Sequence, residues 1–130
     1  MEPELPPQVM EVLEKAKGLR EGDPDPGYSL ILGQGFRATD GLIQAWKDAR
    51  TMAGIRFFQD ALAEVGDPDL IEAYLLDSET PESYRVSLCR ILARQRRTDL
   101  RNRIRILNLA RHDRSPLVQE AAARSLHEIS

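Results

Sequence analysis

Two stretches of this sequence lie over each other when one is shifted by 34 residues, and that repetition constrains the fold more than any other feature. Tyr84, Leu88, Cys89, Arg90 and Leu92 fall on Val118, Ala122, Ala123, Arg124 and Leu126. Both stretches have the apolar spacing of an amphipathic helix. Each follows a shorter helical stretch, residues 68–77 in the first case and 99–111 in the second. One helix pair cannot bury both of its faces, so a chain that repeats the pair at this period is expected to stack pair on pair.

Caps and breakers punctuate the rest. Pro6 and Pro7 can open a helix, because the first-turn N–H groups lack intrahelical partners anyway. Val9, Val12, Leu13, Ala16 and Leu19 then share one face, predicting a helix over about 7–20. Residues 21–39 break the pattern at GDPDPG and again around YSLILGQGF, whose short apolar run fits either a buried extended segment or a helical turn. Thr39 or Asp40 can cap the next helix. Two helices are predicted, over about 40–52 and 54–65, with Gly54 as the break and one bent helix as the alternative. Trp46, Phe57 and Phe58 fall on apolar stripes and read as core. Gly66-Asp67-Pro68 stops one helix and starts another. A polar turn at 78–81 repeats the device before a helix over 82–95, and Thr98 or Asp99 caps the one after it. In that helix Leu100, Ile104, Leu107 and Ala110 form the stripe, and Ile106 widens it. Ser115-Pro116 opens the last one.

The expected fold is therefore all-α: an N-terminal helix and an irregular linker over residues 1–39, then a short solenoid of antiparallel helix pairs over 40–130. The sequence has 130 residues, long enough for a core without disulfides, and Cys89 is its only cysteine. No apolar run is long enough to span a bilayer, and the acidic N-terminus does not resemble a signal peptide, so a cytoplasmic protein is expected.

Asp113-Arg114-Ser115-Pro116-Leu117-Val118-Gln119-Glu120-Ala121-Ala122-Ala123-Arg124-Ser125-Leu126 resembles the second helix of a HEAT or HEAT-like repeat, in which D-x-x-P-x-V-R-x-x-A-A-x-A-L is common. Gln119 stands where the family usually has a basic residue, and Ser125 where it has a small apolar one. Thr80–Leu92 is a looser copy, with Pro81 one residue farther from Tyr84. The resemblance covers about 67–130 and implies a scaffold that binds other proteins, or in a minority of members nucleic acid.

Charge is unevenly spread. Residues 85–130 carry eleven arginines and no lysine against four carboxylates, whereas residues 1–84 carry seven cations against seventeen. Arg90, Arg94, Arg97 and Arg101 recur at helical spacing, and Arg105 follows four residues later. A guanidinium fork suits carboxylate or phosphate. These five arginines are the expected partner-binding residues. The leading expectation is a non-catalytic adaptor that meets an acidic protein surface, with self-association of the acidic and basic halves as one form of it. Nucleic-acid binding through the same arginines is the alternative, opposed by a pI of about 5.4 and by the absence of interleaved aromatics. A solvated face, with some arginines pairing to Asp67, Asp69, Glu72, Asp77 or Glu79, is the remaining reading.

No residue set demands catalysis. Gly33-Gln34-Gly35 lacks the remainder of a phosphate loop. The aspartates of DPDPG read as turn residues rather than calcium ligands. His112 and His127 have no second ligand at metal spacing. Cys89 lies on or beside an apolar face and reads as an inert thiol. The expectation is no enzyme, no cofactor and no metal.

Overall fold

A computed structural model describes residues 5–130. Among them the chain is all-α and strand-free. The helices are α1 (Pro7–Ala16), α2 (Tyr28–Leu32), α3 (Thr39–Lys47), α4 (Met52–Val65), α5 (Pro68–Leu76), α6 (Glu82–Arg94), α7 (Leu100–Ala110) and α8 (Pro116–Ile129), with a 3₁₀ turn at Gly35–Ala38. None among the described residues is long and apolar enough to cross a membrane. Two compact units divide at Gly66 and Asp67. The sequence changes character at 39–40, but α3 and α4 pack with α1 and α2.

In the first unit α1 buries Val9, Val12, Leu13 and Ala16, the face its spacing predicts, and ends earlier than that spacing, at Ala16. The stretch left open between strand and helix is the short helix α2, which buries Ile31. Gly27 precedes it at φ 125°, and an added Cβ would lie 2.8 Å from Val12 Cγ2, so both the backbone angle and the space select glycine. Leu42, Ile43 and Trp46 from α3 and Phe58, Ala61 and Leu62 from α4 complete the core. Tyr28, Phe57 and Phe58 meet edge to face, with ring centroids 5.2 and 5.6 Å apart.

The break between α3 and α4 is not at Gly54. It lies at 48–51, where Thr51 caps α4 by accepting the Gly54 N–H at 3.0 Å. The same hydroxyl donates to the carbonyl of Leu19, and the Arg50 N–H donates to that of Lys17. The turn before α4 is thus tied to the segment that leaves α1. Gly54 sits in the first turn of α4 because the Ala16 carbonyl oxygen approaches it: an added Cβ would be 2.5 Å away.

The second unit begins with the stop-and-start signals read in the sequence. Asp67 caps α5 with Pro68 in its first turn, Asp99 caps α7, and Ser115 caps α8 with Pro116 in its first turn. Pro81 differs. It occupies the cap position of α6 itself, with no side-chain cap. Helix α5 packs on α7, and α6 on α8; α6 also touches α5 and α7, and α7 touches α8. Ile71, Leu75, Leu88, Ile91, Leu92, Ile106, Leu107 and Val118 are buried between them. Three side-chain contacts join residues 33 apart: Asn102 donates to Asp69, Arg105 to Glu72 and Ser115 to Glu82.

Ser115 has two tasks. Its hydroxyl accepts the Val118 N–H at 3.3 Å and donates to Glu82 at 2.6 Å. Ser115→Ala removes the cap and the link to α6 together. It is expected to lower stability by about 1–2 kcal/mol, measured by urea unfolding of the full chain. An effect near zero would show that Ser115 does not hold this helix end.

Candidate functional site

The arginines divide into three groups. Arg85 and Arg103 are buried, at 4% and 6% exposure. Arg85 donates from Nε and Nη2 to the Asp113 carboxylate at 3.0 and 3.2 Å, and from Nη1 to the carbonyl of Thr80. Asp113 in turn accepts the Ser115 N–H at 2.8 Å. Burial pushes the Asp113 carboxyl up. The hydrogen bonds from Arg85 and Ser115, with the charges of Arg85 and Arg114, outweigh that and hold it below the ordinary carboxylate value. Arg103 reaches from α7 to the Leu92 carbonyl in the last turn of α6 at 3.0 Å, and its Nε–H has no partner. A cation there meets both the open carbonyls and the negative end of the helix dipole.

These two arginines hold the fold. Neither belongs to the series Arg90, Arg94, Arg97, Arg101 and Arg105 that helical spacing selects, although the sequence carries a signal for both. Arg85, Cys89 and Leu92 have core spacing, as do Arg103, Leu107 and Ala110. A long, charged residue at such a position is buried only when a partner is placed to receive it.

The five arginines expected at an interface are all exposed, but they do not share one face. Helices α6 and α7 turn buried sides toward one another: Leu88, Ile91 and Leu92 on the one, Ile106, Leu107 and Ala110 on the other. Arg90 and Arg94 lie opposite the buried stripe of α6. Arg101 and Arg105 lie opposite that of α7, where Arg105 forms a forked pair with Glu72 of α5 at 2.7 and 2.9 Å. The hydrogen bond from Arg105 lowers the Glu72 carboxyl and raises the Arg105 guanidinium. Arg97 is in the connection between α6 and α7. Among the described residues, no ion pair or side-chain hydrogen bond involves the guanidinium of Arg90, Arg97 or Arg101.

Folding also alters the meaning of the charge asymmetry. The second unit holds all eleven of the late arginines together with ten carboxylates, six of them from residues 67–82. Much of the acidic half's charge is thus within the same unit as the arginines, and Glu72, Asp69 and Glu82 contact its later helices directly.

Beside Arg90, a groove of about 430 Å³ runs between α6 and α8, lined in part by Val86, Leu117, Ala121 and Arg124. The other residues considered for chemistry sit as follows. Asp25 accepts the N–H groups of Gly27 and Tyr28, which lower its carboxyl, and so acts as a turn residue. Gly33 ends α2, and Gly35 has φ 59°. His112 and His127 are exposed. Among the described residues no three His, Cys, Asp or Glu side chains gather where they could hold a metal. Comparison with protein-family models, curated proteins and solved structures found no significant match.

Cys89 is fully buried. Burial pushes its thiol up to about 12, helped by the Asp113 carboxylate and opposed by Arg85 and Arg90. A thiol in that state is a poor nucleophile. Maleimide labelling of the native chain at pH 8 is expected to be slow, and to become rapid and stoichiometric in denaturant. Rapid native labelling would contradict the burial.

Proposed function

We propose that the second unit is a HEAT-like helical-repeat module of two stacked, antiparallel helix pairs. Its role is that of a non-catalytic adaptor: it binds an acidic surface of another protein through arginines of the α6–α8 side. The repeat reading is supported by the packing of α5 on α7 and α6 on α8, and by contacts between residues 33 apart. In a stack, corresponding positions of successive units become neighbours, and a helix pair that lacks such a neighbour leaves apolar surface in water.

The single observation that carries the binding reading is Arg90, exposed and without an ion pair beside a partly apolar groove. Arg94 extends the same side of α6, and Arg97 follows it in the connection. Arg101 and Arg105 belong to the opposite side, so they are secondary in this reading. Phosphate tracking by nucleic-acid-binding proteins uses a continuous basic groove with stacking aromatics. The division of the arginines between two sides favours a protein partner over that alternative.

The test compares Arg90→Glu/Arg94→Glu with Arg101→Glu/Arg105→Glu in co-purification from the source cells. The first pair is expected to lower partner recovery about tenfold, equivalent to about 1.4 kcal/mol, and the second to leave most of it. A partner retained equally by both variants removes the arginine-mediated reading. Binding to duplex or single-stranded DNA that weakens steeply with salt would favour the nucleic-acid alternative instead.

A further inference from the structure

The groove between α6 and α8 has a polarity that specifies what fits it. The contact between Ser115 and Glu82 places the N-terminal ends of the two helices side by side. Val86, Leu117 and Ala121 line the middle, and Arg90 and Arg124 lie toward the C-terminal end. Leu117 is 58% exposed. One exposed leucine is ordinary on a protein surface. This one is in a concave apolar stretch that ends in cations.

The charges of the groove are unequally matched. Glu82 accepts the Ser115 hydroxyl at 2.6 Å, and Glu120 pairs with Arg124 at 2.9 Å. Glu120 is therefore in an ion pair, whereas Glu82 is held by a neutral hydroxyl and keeps its charge. Arg90 has no ion pair or side-chain hydrogen bond among the described residues. Two charges of the groove are thus left without an ion pair among the described residues: the negative one of Glu82 at the N-terminal end, and the positive one of Arg90, which lies one helical turn, about 6 Å, beyond Val86.

Resting on the α6–α8 reading above, we infer that this groove binds a short acidic segment of a partner protein. The segment places one large apolar side chain over Val86, Leu117 and Ala121, and an aspartate or glutamate on Arg90. A separation of about 6 Å sets the spacing: about two residues apart in an extended segment, where each residue advances about 3.3 Å, or three to four in a helix. The apolar contact supplies burial, and the carboxylate sets direction, because reversing the segment would put its charge beside Glu82.

A random peptide display library selected on the full chain tests this. Enriched peptides are expected to share an apolar residue with Asp or Glu at that spacing. In fluorescence titrations of an enriched peptide, Leu117→Asp and Arg90→Glu should each weaken binding at least about tenfold, while Arg101→Glu stays within about twofold. Residues 90 and 117 are exposed, so both variants should keep the helical circular dichroism and urea midpoint of the parent chain. An empty selection, or enriched peptides without a carboxylate or indifferent to Leu117→Asp, overturns the inference. Acidic peptides that lack an apolar residue and are lost only with Arg90→Glu would sink the groove inference and leave the basic docking face standing. Enriched peptides unaffected by Arg90→Glu would remove both.

Discussion

Replacing Arg85 with methionine is expected to lower the stability of this protein by about 3–5 kcal/mol, the range for breaking one side of a buried ion pair. The side chains of Arg85 and Asp113 are only 5% and 11% exposed, and their two parallel contacts join α6 to the turn before α8. Without the guanidinium, the Asp113 carboxylate keeps the Ser115 N–H but loses the cation that offset its desolvation. The Thr80 carbonyl loses a donor as well. Asp113→Ala should cost a similar amount, because it leaves Arg85 charged and enclosed. Replacing both with apolar residues of similar size should cost far less than the two single losses combined. Urea unfolding of the four chains measures this. A loss below about 1 kcal/mol for Arg85→Met would mean that water reaches the pair and screens it, as at surface ion pairs.

The same pair gives a pH dependence with a definite sign. The Asp113 carboxyl titrates below its ordinary value of 3.8 in the folded protein. The stability contributed by its charged form is therefore present above that value, and is lost as pH falls from it through the lower folded value. Asp113→Asn should flatten this part of the acid limb relative to the parent chain. An unchanged slope would show that Asp113 ionisation is not what acid removes.

Gly54→Ala is expected to destabilise the protein by about 1–3 kcal/mol or more, as overpacking does, although helix propensity alone predicts a gain of about 1 kcal/mol from the same change. The two effects have opposite signs, and geometry decides between them. An added Cβ would stand 2.5 Å from the Ala16 carbonyl oxygen and 3.1 Å from that of Lys17. Both atoms are backbone and cannot rotate away. The segment after Ala16 is further tied to the start of α4 by the Arg50 N–H and the Thr51 hydroxyl. Relieving the contact therefore means moving α1 against α4 and opening the core around Ala16 and Phe58. A stabilised Gly54→Ala chain would show that the two segments separate at little cost.

Helix boundaries were legible where their causes are local. Asp67-Pro68, Asp99 and Ser115-Pro116 start helices through contacts within three residues of the cap, so the signal and the structure coincide. The apolar stripe of α8 was equally readable, because one side of that helix packs and the other meets water. Gly54 was misread as a break because its constraint comes from the Ala16 carbonyl, far away in sequence. The arginines show the same limit. Spacing alone made Arg90, Arg94, Arg97, Arg101 and Arg105 a single series, but the turn at 95–99 sends α7 back along α6 and divides that series between two sides.

By itself the sequence determined that this chain is helical, where most of its helices begin, and much of its apolar stripes, although in α7 Leu100 is exposed and Ile104 half-buried while Arg103 and Ile106 fill the core side. Those properties depend on neighbours within one or two turns. Only the tertiary structure decided that Arg85 and Arg103 are buried, that Glu72 holds Arg105, and that Arg90 stands unmatched beside a groove. Charge compensation depends on which residues meet across helices, and desolvation depends on everything packed around them. Neither is set by the order of residues along one helix.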